Sequence, residues 1–211
     1  MIDLKFYLKD LFPIICPHLE KIEEIVKSCG TYIEGNCFTC NNIFLYAPDM
    51  IPKQLNIMEF ALKCTNVLEI GFNAGHSALL MLIVNPNLKI DIFDINHHKY
   101  TEPCLNYLNS VFNNRITAHW GNSNETLKNI KESKWDGFHI DGSHEEEITI
   151  RDLNNIYNLS KDSDLIMIDD TQIYYIINYI SELIEKNKWK NCSFSIYKTE
   201  RSSHKIGHFI K

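Results

Sequence analysis

No apolar run in this chain is long enough to cross a bilayer: the longest, Ala78 to Val84, is far too short, which excludes a membrane-spanning helix. Positive charge is also scarce. The 21 Lys and Arg against 27 Asp and Glu leave a formal net charge of -6, without the broad basic surface that neutralises phosphates, so nucleic acid is not expected as a substrate. A disulfide framework is missing too: seven cysteines, an odd number scattered between positions 16 and 192, suit free thiols in a reducing compartment. Cys37 and Cys40 form a lone Cys-x-x-Cys, and no second pair stands at the spacing a structural zinc needs. Met1 to Lys5 mixes charges into its apolar residues, and the expected location is cytoplasmic.

What remains is a chain of 211 residues with 45% hydrophobic content, enough for one α/β domain with a sizeable core and a short extension. From about Asn66 short apolar strands alternate with amphipathic helices, the pattern of a parallel sheet covered on both faces. Strands are expected at Asn66 to Gly71, Lys89 to Asp94, Ile116 to His119, Gly137 to Asp141 and Asp164 to Asp169. The clearest helix runs from Thr171 to Asn187, with Ile173, Ile176, Ile177, Ile180, Leu183 and Ile184 on one stripe. Two further segments, Ser193 to Lys198 and Ile206 to Lys211, read as a hairpin around the polar Thr199 to Lys205. Upstream, an amphipathic helix is expected near Pro17 to Ser28, with Leu19, Ile22, Ile25 and Val26 on one face, followed by a hairpin or lid from Gly30 to Tyr46. Residues 1–60 are thus read as an extension that covers the acceptor side, and residues 61–211 as the catalytic domain.

The most informative stretch is Val67-Leu68-Glu69-Ile70-Gly71-Phe72-Asn73-Ala74-Gly75-His76-Ser77, an apolar strand running through two glycines into a helix. Glycine lets the backbone turn sharply and approach a ligand, and the helix start offers free N–H groups. The Gly-x-Gly-x-x-Gly that cradles a dinucleotide pyrophosphate is absent, which steers away from an NAD-dependent oxidoreductase. The second strand ends in Asp94, where a carboxylate can accept both hydroxyls of a ribose. Asp141, at the end of the fourth strand, and Asp169 and Asp170, at the end of the fifth, gather three carboxylates at the ligand edge of the sheet. Such oxygens suit a hard dication such as Mg²⁺.

The glycine stretch resembles the first motif of the class I methyltransferases that use S-adenosylmethionine. Trp120-Gly121-Asn122-Ser123-Asn124-Glu125-Thr126-Leu127 resembles their Gly-Asp-Ser-x-Glu-Thr-Leu segment, with Asn122 in place of the usual Asp. Ile140-Asp141-Gly142-Ser143-His144, followed by Arg151-Asp152-Leu153, resembles the Mg²⁺-dependent macrocin-type sugar O-methyltransferases. The fold this implies is Rossmann-like: a doubly wound, mostly parallel seven-stranded sheet with an antiparallel C-terminal hairpin. The implied cofactor set is Glu69, Gly71, Phe72, Asn73, Gly75, Ser77, Asp94, Asn122, Ser123 and Asp141. The implied metal ligands are Asp141, Asp169 and Asp170, and the implied catalytic residues are His144, as base, and Asp141.

The chemistry requires such an arrangement. A neutral hydroxyl is a poor nucleophile towards a sulfonium methyl, so a dication that lowers its pKa and an imidazole that takes its proton both help. The expected reaction is an S-adenosylmethionine-dependent, Mg²⁺-assisted O-methylation of a small molecule or a sugar, with neither nucleic acid nor membrane as partner. The resemblance also allows a homodimer. The alternatives are an N- or nucleic-acid methyltransferase, disfavoured by the missing Asn/Asp-Pro-Pro-Tyr after the fourth strand, and a non-catalytic S-adenosylmethionine-binding interaction protein. The intact Asp141, His144, Asp169 and Asp170 set counts against that last reading.

Overall fold

A computed structural model describes residues 2–39, 47–130, 133–192, 197–198 and 203–211. The chain starts with α1 (Leu4–Phe6), capped by the Asp3 side chain, which accepts from the backbone N–H groups of Lys5 and Phe6. It continues through a π-helical turn, Tyr7–Leu11, into α2 (Phe12–Ser28). α2 starts upstream of the expected Pro17 and carries that proline inside, because Ile15, Leu19, Ile22 and Val26 bury one continuous stripe that outweighs the lost hydrogen bond. Of the expected Gly30 to Tyr46 hairpin, residues 40–46 lie outside the described residues, and residues 30–39 form no strand.

After α3 (Ile51–Ala61) the alternation begins: β1 (Asn66–Ile70), α4 (His76–Val84), β2 (Lys89–Asp94), α5 (Thr101–Val111), β3 (Ile116–Trp120), α6 (Ser123–Thr126), β4 (Gly137–Ile140), α7 (Glu146–Leu159), β5 (Leu165–Ile168), α8 (Tyr174–Glu185), β6 (Trp189–Asn191) and β7 (Lys205–Phe209). The strand order is β3-β2-β1-β4-β5-β7-β6. β1 to β5 are parallel, and β7 runs antiparallel between β5 and β6. This is the expected mostly parallel, seven-stranded sheet with an antiparallel C-terminal pair. The order reverses between β1 and β4, and a ligand crevice forms outside the strand ends at such a point.

Because side chains alternate across a strand, β1 serves two layers. Val67 packs with Ile22, Phe60, Leu79 and Leu105 on one face, while Leu68 and Ile70 pack with Leu153, Ile156, Ile176 and Ile180 on the other. Glu69 therefore faces the α3 and α4 side, where an acid needs partners.

Three differences from expectation have local causes. α3 has no apolar stripe to announce it: Lys53, Gln54, Asn56 and Glu59 are as buried as Leu55, Ile57, Met58 and Phe60. α8 starts at Tyr174 rather than Thr171, since Asp170 has a left-handed φ of 52° and the Thr171 N–H donates to the Ser203 carbonyl at 2.8 Å; its Ile184 is 46% exposed, off the core stripe. The sixth strand lies at Trp189–Asn191, earlier than the expected Ser193 to Lys198, of which residues 193–196 lie outside the described residues. Trp189 sets that register: it is buried over Gly207, where an added Cβ would sit 2.5 Å from the indole and from the Lys190 carbonyl oxygen.

Candidate active site

A cavity of about 850 Å³ opens at the β1–β4 switch point, in the size range of small-molecule sites. One half is built from the loops after β1, β2 and β3. Gly71 has φ +87°, and a Cβ there would lie 1.9 Å from the Asp141 carbonyl oxygen, so only glycine lets β1 leave the sheet beside β4. Asp94 ties this turn down: one carboxylate oxygen accepts from the Phe72 and Asn73 N–H groups at 2.8 and 3.0 Å, the other from the Asn96 N–H at 2.7 Å. The Asn73 side chain reaches up to the Gly35 carbonyl (2.9 Å) and accepts from Tyr100 (2.7 Å), which closes the Glu34–Thr39 segment over the cavity. Asn122 caps α6 by accepting from the Asn124 N–H at 2.9 Å, and Ser123 donates to Asp152 at 2.6 Å.

Gly71, Phe72, Asn73, Ser77, Asp94, Asn122, Ser123 and Asp141 all line this cavity. Glu69 and Gly75 lie behind its wall. Glu69 is fully buried and accepts from Ser77 Oγ at 2.5 Å and from His139 Nδ1 at 2.9 Å, so it orients Ser77 from beneath. Gly75 has φ +81°, and a Cβ there would meet the Phe72 ring at 2.5 Å, so it serves the seating of Phe72. The Phe72 ring belongs to the core cluster, and its backbone N–H is held by Asp94. Asp91 is buried and structural, held by His119 Nε2 at 2.8 Å and Trp135 Nε1 at 2.9 Å.

The other half is made of charged side chains. His144, on the loop after β4, meets Asp170 at 2.7 Å through Nε2, and Asp170 accepts with its second oxygen from Gln172 at 2.7 Å. Burial alone would raise the Asp170 pKa, but the bonds from His144 and Gln172 outweigh it and hold the carboxyl below the usual range. An ionised Asp170 only accepts, so His144 Nε2 carries the proton and Nδ1 is left with a lone pair. The bond to Asp170 raises the His144 pKa, and Tyr175 OH anchors the loop through the His144 carbonyl at 2.5 Å.

Deeper, Asp169 is ion-paired with Lys53 from α3, both buried. Burial disfavours the Lys53 ammonium, but Asp169 and Asp141 outweigh that and hold its pKa above the usual lysine range. Burial and the neighbouring Asp169 push the Asp141 pKa up. His139 Nε2 and Asp169 Oδ1 have no hydrogen-bond partner among the described residues, and ligand atoms of His139, Asp141 and Asp169 lie within 4.8 Å of one another. The expected trio of Asp141, Asp169 and Asp170 therefore divides: Asp169 turns to Lys53, Asp170 to His144.

Lys53, His139, His76 and Asp152 carry no role in the sequence reading. His139 stands two residues before Asp141, a spacing that points both to one face of the strand edge, so its position was readable. His76 lines the cavity at the start of α4 with Nε2 unpartnered among the described residues, its pKa pushed down to about 4 by burial. Nothing in the sequence around Lys53 signals it.

Residues 68–171, just under half of the chain and the part that contains the loops after β1 to β4 and the acids after β5, match the model of a family described as a methyltransferase domain. Together with the strand order, this makes the protein a methyltransferase of the class I architecture. Its fold is similar to that of a protein from Klebsiella pneumoniae described as an O-methyltransferase (14% identity, 92% of this chain and 90% of that one, TM-score 0.64). It is also similar to the O-methyltransferase TomG from Streptomyces achromogenes, solved with S-adenosylmethionine (13%, 92% and 90%, TM-score 0.63). A third is the O-methyltransferase from Bacillus cereus, solved with S-adenosylhomocysteine (15%, 92% and 91%, TM-score 0.59). Among curated proteins no sequence matches.

Proposed function

We propose that the chain transfers a methyl group from S-adenosylmethionine to a hydroxyl oxygen of a small molecule or sugar. The observation that carries this reading is one cavity that joins the Gly71–Asp94 turn to the His144–Asp170 pair. In the proposed step His144 Nδ1 takes the acceptor's hydroxyl proton while that oxygen bonds to the methyl carbon. The carbon–sulfur bond breaks, and its electron pair turns the sulfonium into the thioether of S-adenosylhomocysteine. Asp170 holds the imidazole tautomer, and holding oxygen, carbon and sulfur in line supplies much of the rest. The Glu34–Thr39 segment, Met50 and Lys53 line the cavity, which supports residues 1–60 as its cover and 61–211 as the catalytic part.

The Mg²⁺ that the resemblance implies does not fit this donor set. Both oxygens of Asp170 are engaged by side chains, one oxygen of Asp169 by an ammonium, and the atoms that converge include an imidazole nitrogen, whereas Mg²⁺ asks for an octahedron of oxygens. We keep as proposals a cytoplasmic location, a homodimer and the lack of nucleic-acid or membrane partners; no helix among the described residues is long and apolar enough to cross a membrane.

Calorimetric titration with S-adenosylmethionine and S-adenosylhomocysteine tests the reading. Micromolar binding of both is expected, and no binding of either would overturn it.

A further inference from the structure

We propose that the Lys53 ammonium is the resident cation of the carboxylate cluster, so that this methyltransferase works without a divalent metal. The proposal rests on the reading of the cavity as a methyl-transfer site.

Position is the first argument. Lys53 comes from the first turn of α3, is 5% exposed, lines the cavity with Asp141, and pairs with Asp169. The second argument is that the helix carrying it is fixed. Gln54 donates to the Cys37 carbonyl at 2.9 Å and accepts from Tyr7 OH. Asn56 donates to the Tyr197 carbonyl at 2.7 Å and accepts the Tyr197 N–H at 2.6 Å. Buried polar groups bonded in this way hold α3 in one register, so the ammonium sits where it is needed before any ligand arrives.

Charge balance is the third argument. Glu69, Asp141 and Asp169 bring three acids to the same face of the sheet, and His139 and Lys53 are the basic groups set against them. A buried carboxylate without a counter-charge is costly, and the lysine supplies that charge from within the chain. A dication added beside the ammonium would meet direct repulsion and would have to displace Lys53 to use the Asp169 oxygen it holds. Asp169 Oδ1 has no hydrogen-bond partner among the described residues, and ligand atoms of His139, Asp141 and Asp169 lie within 4.8 Å of one another, the setting of a cation site; the ammonium is the cation that the sequence provides. A fixed positive charge at the acceptor end also favours an oxygen as it gains negative charge during loss of its proton.

The test uses the full chain, freed of metal with EDTA, and two probes: Mn²⁺, followed by electron paramagnetic resonance, and S-adenosylmethionine, followed by calorimetry. The wild type should show no stoichiometric Mn²⁺ site below 1 mM, on the order of the weakest affinities such titrations resolve, and the same S-adenosylmethionine affinity in Mn²⁺ as in EDTA. Lys53→Met should gain one Mn²⁺ site at least about 10-fold tighter, while Lys53→Arg should stay without one. One equivalent of Mn²⁺ taken up tightly by the wild type overturns the proposal even if Lys53→Met fails to fold. Absence of a site in both wild type and a folded Lys53→Met overturns it too, because the acids then form no cation site. Loss of S-adenosylmethionine binding in the wild type would instead sink the functional reading on which the proposal stands.

Discussion

The two halves of the cavity are built from different material. The half after β1, β2 and β3 is made of backbone: a left-handed glycine, three N–H groups gathered on Asp94, a capped helix start. The half after β4 and β5 is made of side chains, among them Lys53, His139, Asp141, His144, Asp169 and Asp170, which arrive from three distant segments and shift one another's ionisation. Backbone sites fail by steric exclusion, and side-chain sites fail by lost charge balance. Substitutions in the two should therefore break the protein in different ways.

The largest effect is expected in the backbone half. Gly71→Ala places a methyl 1.9 Å from the Asp141 carbonyl oxygen at a φ of +87°, and no side-chain rotation relieves a clash with backbone. Loss of S-adenosylmethionine binding by 100-fold or more, on the order of 3 kcal/mol, should accompany a collapse in melting temperature, read by calorimetry and circular dichroism. A variant that bound normally would mean that the β1 exit is as adaptable as a side chain, and the contrast between the halves would dissolve.

Next comes Lys53→Met, which strands Asp169 in the interior. Breaking a buried pair costs about 3–5 kcal/mol, measurable by urea unfolding. The double variant Lys53→Met/Asp169→Asn should recover most of that loss, since a neutral amide needs no counter-ion. Equal destabilisation in single and double variants would place the defect in α3 packing and not in charge.

Legibility in the sequence follows the same division. The Gly71–Gly75 loop, Asp94 and Asn122–Ser123 were readable because backbone chemistry demands particular residues at fixed spacings along one segment. The alternation of β1 to β5 was readable for a similar reason, each strand being an apolar run between turns. α3 was not: a helix buried on every side with Lys53, Gln54, Asn56 and Glu59 inside has no polar face, so its periodicity is silent. The pairing of Lys53 with Asp169 joins residues 116 positions apart, a contact that only the fold creates. Asp170 illustrates the limit from the other direction. As one of three acids at a sheet edge it reads as a metal ligand, and only its geometry assigns it to His144.

A smaller effect should appear in that pair. Asp170 raises the His144 pKa above its usual 6.5, and a base acts in its neutral form, so with an identified acceptor kcat/KM should rise with pH through an inflection above 6.5. In Asp170→Asn the inflection should move down towards 6.5, while the plateau falls roughly 10- to 100-fold, part of what a positioned general base contributes. An unmoved inflection would remove His144 from the reaction.

The smallest effect on function concerns Asp152, which touches both halves: it lies on α7, lines the cavity, and accepts from Ser123 of the backbone half. Burial raises its pKa to about 6 from 3.8, with the Ser123 bond acting the other way. A carboxyl that titrates higher when folded releases protons more readily when unfolded. Stability should therefore fall as pH rises from about 4 to 6 and stay lower above that, by up to about 3 kcal/mol at 1.36 kcal/mol per unit. Asp152→Asn keeps an oxygen for the Ser123 hydroxyl and removes the titration. Relative to its effect at pH 4, it should stabilise the protein at pH 8 by most of that amount, roughly 2–3 kcal/mol, as read from urea midpoints at the two pH values. A drop in S-adenosylmethionine affinity in this stabilised variant would move Asp152 from the structural frame into the binding surface, and unchanged affinity would leave it as a support for Ser123.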